Sequence, residues 1–178
     1  MTKAIMNYMF SVVFLSLGLA PGLADADIYE GLVGHWKFDE TSGATAEDSS
    51  ANNNHGTIYG APQWAAGYVR GGLELDGTDD YVELPIGSLI SSLTNSTFAT
   101  WVDFSNAGGA WQRIFDFGTG TTAYMFLTPR IGTAEPMRFA ITIAGGGDPE
   151  QQATAPETLP SGWRHVAVTI DADNGIIS

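Results

Sequence analysis

The chain has 178 residues, 20 of them acidic and 7 basic, for a formal net charge of −13, and no cysteine. This excludes a disulfide scaffold, a thiolate-ligated zinc site and thiol catalysis. It also argues against nucleic acid as a partner, because a polyanion needs clustered Lys and Arg and no two basic residues are adjacent here. With 44% hydrophobic and 11% aromatic residues, the chain can bury enough apolar surface to offset its ordering entropy, and its length suits one domain.

Residues 1–26 read as a secretory leader. Lys3 supplies the charged start, residues 8–19 an uncharged apolar run, and Ala24-Asp25-Ala26 a small-residue cleavage site before Asp27. The run is shorter than the roughly 20 residues a membrane span needs. The expectation is export to the extracellular space or periplasm, with no membrane insertion after cleavage. Removal takes one base, Lys3, and one acid, Asp25, so the charge balance is unchanged.

From Asp27 onward, alternation replaces helical periodicity. Gly34, Trp36 and Phe38 alternate with His35 and Lys37 in a first strand. Leu73 and Leu75 alternate with Glu74 and Asp76, and Val82 and Leu84 with Tyr81 and Glu83. Gly77-Thr78-Asp79-Asp80 between these two runs predicts a hairpin, because Gly and Asp tolerate the angles of a tight reversal. Further strands are expected over 98–104, 114–117, 124–128, 137–144 and 163–171, separated by Gly- or Pro-rich breaks such as Gly145-Gly146-Gly147-Asp148-Pro149. About eight short strands at this spacing predict an all-β, antiparallel two-sheet jelly-roll sandwich. Its core should hold Trp36, Phe38, Leu75, Val82, Phe98, Val102, Phe115, Val166 and Val168, with Trp101 and Trp163 packed in strand cores as well. The turn Ala172-Asp173-Asn174-Gly175 announces a hairpin partner that Ile176-Ile177-Ser178 only begins. The expectation is a domain over 27–178 whose last strands are missing.

Three phrases, residues 31–40 (GLVGHWKFDE), 48–57 (DSSANNNHGT) and 75–82 (LDGTDDYV), resemble the laminin-G-like, concanavalin A-like jelly-roll domains of bacterial secreted proteins. Trp101-Val102, residues 111–118 and residues 162–169 look like later strands of that family, in the family's order. The resemblance runs over about 28–178 and implies a non-catalytic carbohydrate-binding or adhesion module, often with calcium, appended to a larger extracellular protein such as a glycoside hydrolase. Two other readings stand beside it: a glycosidase of the same fold, and a structural spacer of a surface protein.

The carboxylates decide between them. Glu74 and Asp76 share a strand face, as paired acids of a retaining glycosidase must, at about 5–5.5 Å. Gly77 then ends the strand and carries Asp79 onto a turn, so acids on a solvated hairpin are the plainest reading and catalytic residues are not expected. In residues 48–56, Asp48, Ser50, Asn52 and Asn54 offer oxygens at alternate positions, which suits a hard cation. The spacing fails the EF-hand pattern, since Asn53 stands where Gly is required and Tyr59 where the bidentate Glu should be, and a plain polar loop is the alternative. The resemblance favours calcium. One loop cannot supply the six to eight oxygens Ca²⁺ takes, so Asp39, Asp48, Asn52, Asn54, Asp76, Asp79 and Asp80 form the expected metal set, serving stability. Pentraxins share the architecture and bind calcium in the loop after the strand corresponding to 114–117. Here that loop, Gly118-Thr119-Gly120-Thr121-Thr122, has no carboxylate.

His35, His55 and His165 are too scattered for a triad or a metal site, no Ser lies in a G-x-S-x-G context, and the triple glycine precedes Asp-Pro, not a helix. Trp64 and Trp111 fall at loop–strand borders, where an exposed ring can stack on the apolar face of a sugar. They are the candidate contacts to a carbohydrate or glycoconjugate.

Overall fold

The structure, a computed structural model, describes residues 31–104, 109–132, 135–145 and 150–178, together with the backbone of 10–13. Apart from that one strand, the leader and its cleavage site lie outside the described residues. So do residues 146–149 of the Gly-rich break.

Among the described residues, regular secondary structure is almost entirely β. A five-stranded antiparallel sheet has the order β14-β13-β8-β1-β2, built from β1 (Phe10–Val13), β2 (Leu32–Trp36), β8 (Asn95–Asp103), β13 (Trp163–Asp171) and β14 (Ile176–Ile177). A four-stranded sheet joins β12 (Gln151–Thr154), β11 (Arg138–Thr142), β10 (Tyr124–Thr128) and β9 (Phe115–Gly118). Two smaller sheets pair β3 (Thr45–Ala46), β4 (Gly56–Tyr59) and β7 (Tyr81–Glu83), and β5 (Gln63–Ala66) with β6 (Gly71–Glu74). The single turn α1 (Gly87–Ile90) is the one α-helix among the described residues. No described helix is long and apolar enough to cross a membrane.

The two large sheets face each other. Phe98 on β8 meets Phe115 and Phe117 on β9, with ring centroids 5.2 and 5.7 Å apart. Strand β8 alternates strictly: Ser96, Phe98, Thr100 and Val102 point inward. Its nine residues pair with all nine of β13, which brings Val166 and Val168 inward as well. Eight of the nine expected core residues are buried, and Val82 is half-buried against the same cluster.

Three expectations are corrected. Trp101 and Trp163 are only partly buried and lie on the outer face of β8 and β13; Tyr68, 54% exposed, stacks on Trp101 with centroids 3.7 Å apart. Strand parity requires this, since Trp101 adjoins the inward Val102 and must point the other way. The predicted hairpin does not form either, because β6 pairs with β5 and β7 pairs with β4. The residues between them fold on their own side chains, with the Asp76 amide donating to Asp80 Oδ2 (3.0 Å), and so hand the chain to another sheet. Finally, β2 ends at Trp36. Phe38 reaches the core by a backbone bend at φ 54°.

Candidate functional site

Residues 48–54 wrap against β2. Asp48, 7% exposed, takes the His35 and Ser50 amides on Oδ1 (both 2.8 Å), and the Ser50 hydroxyl (2.7 Å) and Asn54 amide (2.8 Å) on Oδ2. The Nδ2 groups of Asn52 and Asn54 donate to the Val33 carbonyl at 3.1 and 2.9 Å, and Asn52 also to that of Leu32 at 2.8 Å. Asn53 takes φ 56°, a left-handed conformation that Asn tolerates. Burial alone would raise the Asp48 pKa. The donors from His35, Ser50 and Asn54 outweigh it and hold the carboxyl below its ordinary value. Hydrogen bonding thus accounts for Asp48, Asn52 and Asn54 as the closure of this loop.

Asp76, Asp79 and Asp80 come together instead. One carboxylate oxygen from each lies within 4.8 Å of the others, and no other trio of His, Asp and Glu does so among the described residues. Gly77, at φ 72°, makes the turn possible. The Thr78 amide donates to Asp76 Oδ1 (2.8 Å) and the Ala61 amide to Asp80 Oδ1 (2.7 Å), fixing two of the three groups.

The remaining predicted residues separate. Trp64, on β5, packs one side against the core and lines a surface pocket of about 540 Å³ with Asp39, Glu40, Thr41, Arg70 and Gly71. Asp39 Oδ1 accepts the Gly71 amide at 3.0 Å, and its Oδ2 lies 3.5 Å from Arg70 Nη1. Glu40 Oε1 accepts the Glu47 amide at 2.8 Å, while its buried Oε2 has no partner. Gly71 cannot be replaced: a Cβ would sit 2.3 Å from the Phe38 carbonyl oxygen. Trp111, 48% exposed at φ 66°, does not line this pocket; its ring meets Phe126 edge-on at 6.4 Å. Sequence reasoning missed Glu40 and Arg70. Arg70 closes the β5–β6 turn, where the Gly67 amide donates to its carbonyl at 2.9 Å, and a basic residue at a turn between two short strands was the available signal.

Comparison with known proteins places this geometry in a family. The laminin G-like family model described as the concanavalin A-like lectin/glucanases superfamily matches residues 76–178, more than half the chain. The chain belongs to this superfamily. No curated protein and no solved structure matches it. Residues 28–75, to which the sequence resemblance extends, lie outside the match, yet Trp36, Phe38, Leu73 and Leu75 belong to the same core cluster as the superfamily strands. Membership fixes the fold. The superfamily's description spans both lectins and glucanases, so function must be argued from the site.

Proposed function

We propose that the chain is a non-catalytic carbohydrate-binding module of an exported protein, taking a sugar in the Trp64 pocket. The observation that supports this is the composition of the pocket: one indole beside a carboxylate–guanidinium pair and a carboxylate oxygen without a partner. A pyranose offers an apolar C–H face and a rim of hydroxyls. The indole suits the face, while Asp39, Glu40 and Arg70 suit the rim as acceptors and donors. Arg70 is exposed and Asp39 half-buried, so the pair contributes little to stability and the guanidinium is available to a ligand. Trp111 is a second stacking surface. The leader pattern and the absence of cysteine-based chemistry favour an exported binding module over a thiol enzyme.

Trp64→Ala should weaken glycan binding about tenfold or more, near 1.4 kcal/mol; because the indole also packs against the core, the variant melts lower and is titrated at a temperature where it is folded. A glycan array followed by calorimetric titration of the best ligand checks this. Unchanged affinity in the variant rejects the pocket.

Calcium belongs to the same proposal, narrowed to residues 76–80. Three carboxylates held this close repel one another, and a divalent cation turns that cost into a clamp, with water completing the coordination. Calcium at a hundred times its dissociation constant should add about 2.7 kcal/mol of stability. The melting temperature should therefore fall in EDTA, and Asp79→Ala should abolish the difference. A melting curve indifferent to EDTA rejects the site.

A further inference from the structure

Strands β4 and β7 pair Thr57 with Glu83, Ile58 with Val82 and Tyr59 with Tyr81. Ile58 and Val82 pack against the core, so parity turns Tyr59 and Tyr81 to solvent, where they are 40% and 51% exposed. Directly opposite residues of an antiparallel pair hold their Cβ atoms about 4.5–5.5 Å apart. Here the two phenol rings stack, with centroids 4.9 Å apart and planes 14° from parallel. The strand ends are pinned just beyond the rings. Gly60, at φ 82°, leaves no room for a side chain, since a Cβ would fall 2.2 Å from Asp80 Oδ1, and the Ala61 amide donates to that same oxygen at 2.7 Å. Among the described residues no other two tyrosines stack: Tyr68 lies on Trp101, and Tyr124 packs on Phe126.

We infer that Tyr59 and Tyr81 are a cross-linking site, at which one-electron oxidation joins them as dityrosine and clasps β4 to β7. The oxidant is hydrogen peroxide acting through a haem peroxidase, which removes one electron at a time. Each phenol gives up an electron and its hydroxyl proton. The Glu83 carboxylate accepts the Tyr59 hydroxyl, so that proton has a receiver; the same bond raises the Tyr59 pKa and keeps the phenol protonated until it is oxidised. The Tyr81 proton passes to water. A ring carbon ortho to one oxygen then bonds to its counterpart on the other ring, and a hydrogen shifts from each of these carbons to its oxygen, restoring both aromatic rings. In balance, two tyrosines lose two hydrogen atoms and the peroxide becomes two waters. Exposure leaves both rings free to turn out of the stack until their ortho carbons meet, and their fixed proximity favours this bond over one between chains. These 178 residues hold no cysteine, so a disulfide is not open to them, and the bond would tie residue 59 to residue 81 in its place. The inference rests on neither the sugar nor the calcium reading.

The test adds hydrogen peroxide and a haem peroxidase to the whole folded chain in dilute solution and follows dityrosine fluorescence. The product should keep the mass of a single chain less two hydrogen atoms, and its digest should hold the Tyr59 peptide joined to the Tyr81 peptide. Tyr59→Phe and Tyr81→Phe, which keep the stacked rings and lose a phenol, should each cut the fluorescence about tenfold or more, as should unfolding the wild-type chain in urea before oxidation. Tyr68→Phe should leave the yield unchanged. The cross-linked chain should melt higher than the untreated one, because the bond restricts the unfolded state. No dityrosine, fluorescence that survives substitution at 59 or 81, an equal yield from the unfolded chain, or a bond found only between two chains would each overturn the site. A melting temperature that the bond leaves unchanged would overturn its role as a clasp.

Discussion

Replacing Trp36 by Ala should lower the free energy of unfolding by about 3–5 kcal/mol, the range for deleting a large buried aromatic side chain. Trp36 is fully buried, and its indole lies across the backbone of Gly34, where an added Cβ would fall 2.2 Å from the ring. Its Nε1–H donates to the Asn54 carbonyl at 2.8 Å, and its backbone bridges to Asp48. One side chain therefore joins β2, the core and the 48–54 loop. Against a typical total of about 5–15 kcal/mol, such a loss brings the domain near its unfolding threshold. Urea denaturation measures it as a lower midpoint at unchanged slope. A loss below about 1 kcal/mol would mean that the indole is not the keystone of this corner. Gly34→Ala should destabilise for the opposite reason, because the added methyl must displace the ring.

Asp48→Ala should cost about 3 kcal/mol, since it strips the shared acceptor from four donors at once and leaves backbone amides beneath a closed loop. The pH dependence follows from the same contacts. Asp48 has a folded pKa below its unfolded one, so its contribution is present above about pH 3.9 and lost as pH falls through the folded value. His35 acts at higher pH. Burial, then the nearby Lys37, lowers its pKa despite Asp48 and Asp39, and its Nε2 is buried without a partner. The unfolded chain therefore binds a proton that the folded chain resists, and stability falls as pH drops below about 6.5. Thermal melts between pH 8 and pH 3 should show two successive losses. His35→Gln should remove the first and Asp48→Asn should blunt the second. A flat profile to pH 4 in the wild type would contradict the His35 assignment.

Much of the fold was legible because strand period is a strong local signal. The inward set Phe98, Val102, Val166 and Val168 follows from alternation alone. That same alternation excluded Trp101 and Trp163 from the core, and size was a poorer guide than parity. The pairing of β6 with β5 was not legible. Which strand a strand pairs with depends on contacts distant in sequence, and an Asp-rich turn reads alike whether it closes a hairpin or hands the chain to another sheet. The metal set divided for a related reason. Alternating oxygens in residues 48–54 suggest a cation, but the His35 amide of β2 and the loop's own Ser50 and Asn54 amides, whose approach is invisible in sequence, claim the Asp48 oxygens. Trp64 was picked out by its place at a strand border, while its neighbours Glu40 and Arg70 reach the pocket from separate turns.

Titration calorimetry tests most directly whether a sugar occupies the Trp64 pocket. The best ligand from a glycan array should be run against wild type, Trp64→Ala, Arg70→Ala and Trp111→Ala, each checked to be folded at the temperature of the titration. Saturable binding to wild type is expected, with a loss of about tenfold or more for Trp64→Ala and a smaller loss for Arg70→Ala. Binding that survives Trp64→Ala intact and disappears with Trp111→Ala would move the site to the turn that precedes β9, and no binding of any glycan would contradict the module itself.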